Sequence, residues 1–145
     1  MTQSPTLPQN FATDTWVKAT WEEFMLLAYK PAYEKSRAYY HHGKLRIEMS
    51  PIGLNHSEYN SIISTIVTLF CALKNIPFRE LTNCSFRKTG MREDQPDIAF
   101  YVNALEKSPT RSNSPVDLDN YEPPALVVEV AASSVSDDVG KKRLL

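Results

Sequence analysis

Cysteine is almost missing from this chain of 145 residues: only Cys71 and Cys84 occur, and they do not form a Cys-x-x-Cys pair. That spacing argues against structural zinc, and Cys71, inside an apolar helical run, reads as a small buried hydrophobe. A long hydrophobic run is also missing. Nothing approaches the ~20 apolar residues needed to span a bilayer, and the N-terminus from Met1 to Asp14 is polar, without a charged region followed by a hydrophobic signal segment. A soluble cytoplasmic protein with no membrane partner is the expectation. Charge of one sign is missing too, the formal net charge being -1. That argues against a protein that coats nucleic acid by bulk electrostatics, because non-specific affinity comes mainly from clustered Lys and Arg. A local basic rim is still available from Arg87, Lys88, Arg92, Lys141, Lys142 and Arg143. There is no internal repeat.

What is present, 42% hydrophobic and 23% charged residues, suits one globular domain with a real core. Residues 1–15 carry Pro5 and Pro8 among Thr, Gln and Asn and read as a flexible leader, with the domain running over 16–145. Thr20-Trp21-Glu22-Glu23 has the capping-box form and predicts a helix from Trp21 to Tyr29. Arg37 to His42 and Lys44 to Met49 predict a hairpin around Gly43, with Leu45, Ile47 and Met49 on one face and Glu48 on the other. Asn55 as N-cap and Glu58 predict a helix over 55–74, whose stripe of Tyr59, Ile62, Ile63, Ile66, Phe70 and Leu73 should face the sheet. Strands are expected at 78–82, 84–88, 97–102 and 125–131, with a turn over Gly90 to Asp94 and a long Ser- and Pro-rich insertion over Asn103 to Pro124. Val139 to Leu145 would begin a further helix.

Two acids stand out against this pattern. Asp97 follows Pro96 at the start of Ile98-Ala99-Phe100-Tyr101, and Glu129 interrupts the apolar run Leu126-Val127-Val128 and Val130, which predicts a central strand covered on both faces. A carboxylate withdrawn from water costs several kcal/mol unless a cation or donors compensate it. If the two strands are neighbours, Asp97 and Glu129 can converge on a hard divalent cation, with the backbone carbonyl of Val130 as a further ligand. Such a site suits phosphodiester cleavage, where a metal neutralises developing charge and supplies hydroxide. The alternative is structural, with Asp97 capping a turn and Glu129 in an internal ion pair, or with either acid paired to Arg46 or Arg87 and no room for a cation.

The order Trp21-x-x-Phe24, Tyr40-His41-His42-Gly43-Lys44-Leu45-Arg46-Ile47-Glu48-Met49-Ser50-Pro51, His56, Gln95-Pro96-Asp97-Ile98-Ala99-Phe100, Leu126-Val127-Val128-Glu129-Val130, then Asp138 with Lys142, resembles the Uma-two family of bacterial endonucleases. These belong to the restriction-endonuclease-like, PD-(D/E)xK superfamily, and the resemblance runs from about Trp16 to Leu145. It implies an α/β fold, a mixed sheet flanked by helices, and a nuclease using Mg²⁺ or Mn²⁺ on nucleic acid, with DNA the favoured form and a homodimer the expected assembly. It also implies that Asp97 and Glu129 are the metal ligands. The usual superfamily lysine, two residues after the acid, is here Ala131. The family displaces it into a D-x-x-x-K pattern that Asp138 and Lys142 match, with Lys141 as the adjacent competitor. Four residues apart on a helix, Asp138 and Lys142 share a face. His56 matches the family histidine, and Glu48 fits a supporting role. The family commonly carries an acid near the position of Tyr39, and its domain continues into strands beyond the lysine helix, so the resemblance implies an incomplete domain. The rival function is a catalytically silent nucleic-acid-binding or assembly module of the same fold.

Overall fold

The computed structural model describes residues 11–49, 51–103 and 105–131. The Thr20 hydroxyl accepts the Glu23 amide at 3.2 Å and the Glu23 carboxylate accepts the Thr20 amide at 2.7 Å. This reciprocal cap starts helix α1, Trp21–Ala28. Phe24 and Leu27 turn inward onto Tyr40, Leu45 and Ile47. Those residues come from the hairpin of β2, Arg37–His41, and β3, Lys44–Glu48. Its turn residues His42 and Gly43 have φ of 40° and 82°, the mirror-image turn that matches strand twist. The register pairs Tyr40 with Leu45 and Ala38 with Ile47 on the face towards α1, which leaves Arg37 with Glu48 and Tyr39 with Arg46 on the other face.

Around this hairpin a six-stranded sheet is built in the order β1-β3-β2-β6-β5-β8, using β1, Val17–Lys18, β5, Phe86–Lys88, β6, Arg92–Asp94, and β8, Val116–Asp117. The turn predicted over Gly90 to Asp94 is shorter than expected, because Arg92–Asp94 pairs with both β2 and β5. A charged strand tolerates burial there because Arg87 meets Glu93 at 2.5 Å and Arg92 meets Asp94 at 2.9 Å. The segment predicted as an insertion also contributes to the sheet, its strand β8 pairing in parallel with β5. Val116 packs with Phe86, Ala99 and Tyr101, and the Tyr101 hydroxyl donates to the Glu122 carbonyl at 3.0 Å.

A second sheet has the order β4-β7-β9, made of β4, Phe78–Thr82, β7, Ile98–Val102, and β9, Leu126–Val128. Its central strand is β7, whose residues from Ile98 to Tyr101 are all buried. The sequence predicts a central position for the Glu129 strand instead; among the described residues β9 pairs with β7 alone. An unbroken apolar run reports how the faces are covered and carries no information on how many strands flank it.

Helix α2, Leu54–Leu73, lies against this sheet. Its N-cap is Gly53, without a side-chain hydrogen bond, and the predicted cap Asn55 sits inside the first turn. The far end is a Schellman motif: the Ile76 amide reaches the Cys71 carbonyl at 2.9 Å and the Asn75 amide reaches that of Ala72 at 3.2 Å, with Asn75 at φ 54°. The face turned to β4 carries Ser64 and Thr68, whose hydroxyls donate to Glu80 at 2.6 and 3.2 Å, and the buried Cys71. The predicted orientation of the apolar stripe is therefore overturned. Tyr59, Ile62, Ile66, Phe70 and Leu73 are 46–81% exposed and only Ile63 is half-buried. Periodicity finds a stripe, but the polar bonds to Glu80 decide which side of the helix meets the sheet.

Candidate active site

Asp97 sits one residue before β7, with a side chain that is 0% exposed. Three separate elements aim donors at it. The Arg37 guanidinium, at the start of β2, lies 2.7 Å from Oδ1, and the His56 Nε2, in the first turn of α2, lies 3.0 Å from the same oxygen. The backbone amide of Val130, just past β9, donates to Oδ2 at 2.8 Å. Burial would raise the Asp97 pKa, but the Val130 amide, Arg37 and His56 outweigh it and hold the carboxyl below its ordinary range. The buried acid that the sequence singled out is thus compensated by one cation, one imidazole and one amide.

The register of β7 and β9 explains why Glu129 belongs to the same locality. Ile98 pairs with Val128 in antiparallel fashion, so one step further along the ladder Asp97 comes opposite Glu129. Tyr39 reports on the third acid. Its ring is fully buried, its hydroxyl donates to the Gln95 carbonyl at 3.4 Å, and burial, then the charges of Glu48 and Glu129, push its pKa far above the ordinary value. Glu48 itself contacts Arg46 at 2.9 Å and lies opposite Arg37 across the hairpin. Asp97, Glu129, Glu48 and His56 are therefore gathered around the polar face of one hairpin. Lys142, its competitor Lys141, and Asp138 lie outside the described residues.

Two residues here have no counterpart among the sequence candidates. Arg37 bonds Asp97 and also donates to the Asn83 side-chain oxygen at 2.6 Å. Asn83, at φ 50°, donates its amide to the Asp97 carbonyl at 3.0 Å and accepts from the Gln95 side chain at 2.9 Å. The signal for Arg37 was present in the alternation of β2, which puts it on the face of Tyr39 and opposite Glu48. Asn83 is a left-handed turn residue, a position this side chain tolerates. Of the arginines in the ion-pair alternative, Arg46 meets Glu48 and Arg87 meets Glu93, while the cation on Asp97 is Arg37.

A cleft of about 270 Å³ opens beside Asp97, lined by Arg37, His56, Asn60, Ser64 and Asn83 among others. A larger hollow of about 690 Å³, between Arg79 and the 109–117 segment, is remote from these acids, so size does not locate the chemistry here. Among the described residues no group of three or more His, Cys, Asp and Glu side chains is arranged to hold a metal ion. The donor chemistry nonetheless fits a hard cation: Oδ2 of Asp97 accepts a single backbone amide, keeping a lone pair, and Glu129 stands opposite across the ladder. The expected basic rim is engaged in part, with Arg87 on Glu93, Lys88 on Asp119 and Arg92 on Asp94. No described helix is long and apolar enough to cross a membrane.

A mixed α/β body with an acid at the mouth of β7 and a second acid opposite it across the ladder fits a restriction-endonuclease-like fold. The chain belongs to the Uma2 family, described as "putative restriction endonuclease", whose sequence profile matches residues 21–145. No curated protein and no solved structure matches it.

Proposed function

We propose that the chain is a cytoplasmic, metal-dependent endonuclease that hydrolyses nucleic-acid phosphodiester bonds, DNA foremost, as a homodimer. The observation that carries this reading is the position of Asp97, a fully buried carboxylate on which three elements converge, with Glu129 opposite it across the ladder. Asp97 and Glu129, with the Val130 carbonyl, would hold Mg²⁺ or Mn²⁺. Such an ion neutralises charge on a phosphoryl group and lowers the pKa of bound water towards neutrality. His56 presents Nε2 to Asp97 and can keep or pass a proton at that nitrogen. Arg37 neutralises Asp97 and lines the adjoining cleft, where a guanidinium suits a phosphate. Glu48 fixes Arg46 two residues before it on the same strand, β3. Lys142, or Lys141 beside it, would steady the attacking water or the developing charge.

A second reading, a catalytically silent nucleic-acid-binding module, is favoured by the saturation of Asp97 Oδ1 by Arg37 and His56. Cleavage of a labelled duplex in Mn²⁺, with Asp97→Ala and Lys142→Ala beside the parent chain, separates the two. The nuclease reading expects metal-dependent cleavage that Asp97→Ala abolishes and Lys142→Ala depresses at least tenfold. Duplex binding without cleavage by the parent chain would instead establish the silent module.

A further inference from the structure

Helix α2 is apolar on two sides. One side, with Ile63, Val67 and Cys71 each at least half-buried, flanks the Ser64 and Thr68 bonds to Glu80 of the second sheet. The other carries Tyr59, Ile62, Ile66, Leu69 and Leu73, which are 55%, 46%, 61%, 55% and 81% exposed. Their spacing alternates three and four residues, the a/d pattern of a helix seam, whereas a stripe that merely faces a globular core is broader. From Tyr59 to Leu73 the helix has no Lys, Arg, Asp or Glu at all.

We infer that this stripe is the seam of an isologous dimer, in which α2 of one copy packs along α2 of a second copy of the same chain. The missing charge selects the occupant. Nucleic acid would require Lys or Arg on the face, and a helix lying in a lipid surface ordinarily carries them along its polar side. An uncharged a/d row complements another uncharged a/d row, and a two-fold interface supplies one automatically. With Phe70 at its flank, the stripe offers roughly 600 Å² on each copy, or about 1,200 Å² for the pair, the lower bound for a stable specific interface. An apolar patch of that size also sits at the upper limit of what soluble monomers leave uncovered. This inference gives a surface to the homodimer named in the functional reading, and it is independent of the nuclease chemistry.

The test is the mass of the full chain in solution at tens of micromolar, by light scattering after size exclusion. The expected value is twice the 16.5 kDa of one chain, falling to a single chain in Ile66→Glu with an unchanged circular dichroism spectrum. Should Ile66→Glu fail to fold, Ile66→Cys decides instead: mild oxidation must give a covalent dimer above any background from Cys71 and Cys84 in the parent chain. A monomeric parent chain, or an assembly indifferent to Ile66→Glu and unlinked through Ile66→Cys, overturns the inference. Asp97→Ala should remain dimeric, and no readout here uses metal or nucleic acid, so the seam and the nuclease fail separately.

Discussion

Replacing Arg37 by Gln tests whether the guanidinium is the counter-charge that lets Asp97 stay ionised in a dry place. The Asp97 side chain has no exposure and that of Arg37 is 17% exposed. Removing one partner of a buried pair typically costs about 3–5 kcal/mol, since the other charge is left uncompensated. Here His56 and the Val130 amide remain on Asp97, and water can reach the vacated edge, so about 2–3 kcal/mol is the better figure. For a chain of this size that lowers the melting temperature by roughly 5–10 °C. The double variant Arg37→Gln/Asp97→Asn removes both charges and should recover most of the loss, leaving about 1 kcal/mol for the severed bond to Asn83. Urea unfolding of the four proteins at pH 7.5 closes the cycle. A loss under about 0.5 kcal/mol in Arg37→Gln, or additive losses in the double variant, would refute the role assigned to Arg37. Repeating the melts with Mg²⁺ adds a second arm, because a site relieved of Arg37 should be stabilised more by the ion than the parent site.

Three smaller perturbations follow from the fold. Thr20→Ala breaks the reciprocal cap of α1 and should cost about 1 kcal/mol in urea unfolding, while Thr20→Ser keeps it; equal stability of all three proteins would contradict the cap. Asn75→Gly relieves the left-handed residue after α2 and should gain about 0.5 kcal/mol, whereas Asn75→Val should lose at least about 1 kcal/mol, measured as melting temperature; Val tolerated as well as Gly would sink the account. Burial lifts the Tyr101 phenol to about 12 from its model-compound value of 10.0, so its contribution is intact below pH 10 and is lost as pH rises to about 12. That loss is about 2–3 kcal/mol at most, and Tyr101→Phe should flatten the fall of stability between pH 10 and 11. Parallel curves for the two proteins would show that Tyr101 does not titrate in this window.

Much of the fold was legible because its signals are local. The capping box at Thr20, the turn at Gly43 and the alternation through Leu45 and Ile47 each specify an element within a few residues, and each is found in place. Asp97 was legible as an energetic anomaly. What compensates it was not, since Arg37, His56 and Val130 come from three distant stretches whose meeting depends on sheet order. The orientation of α2 failed for a related reason. Its a/d stripe is the stronger apolar signal, yet Ser64 and Thr68 hold the weaker side against Glu80. The strand over Arg92–Asp94 was hidden because charged residues read as a turn until Arg87 of β5 is seen to pair with Glu93 of β6.

The bond between His56 and Asp97 ties the beginning of α2 to the acid at the mouth of β7. In an antiparallel seam centred on Ile66, each His56 stands ten residues from the two-fold axis, roughly 15 Å along the helix. The two Asp97 carboxylates would then be separated by about 30 Å, close to one turn of B-form DNA at about 34–36 Å. On that seam the length of α2 from His56 to Ile66 would set the distance between the two candidate sites.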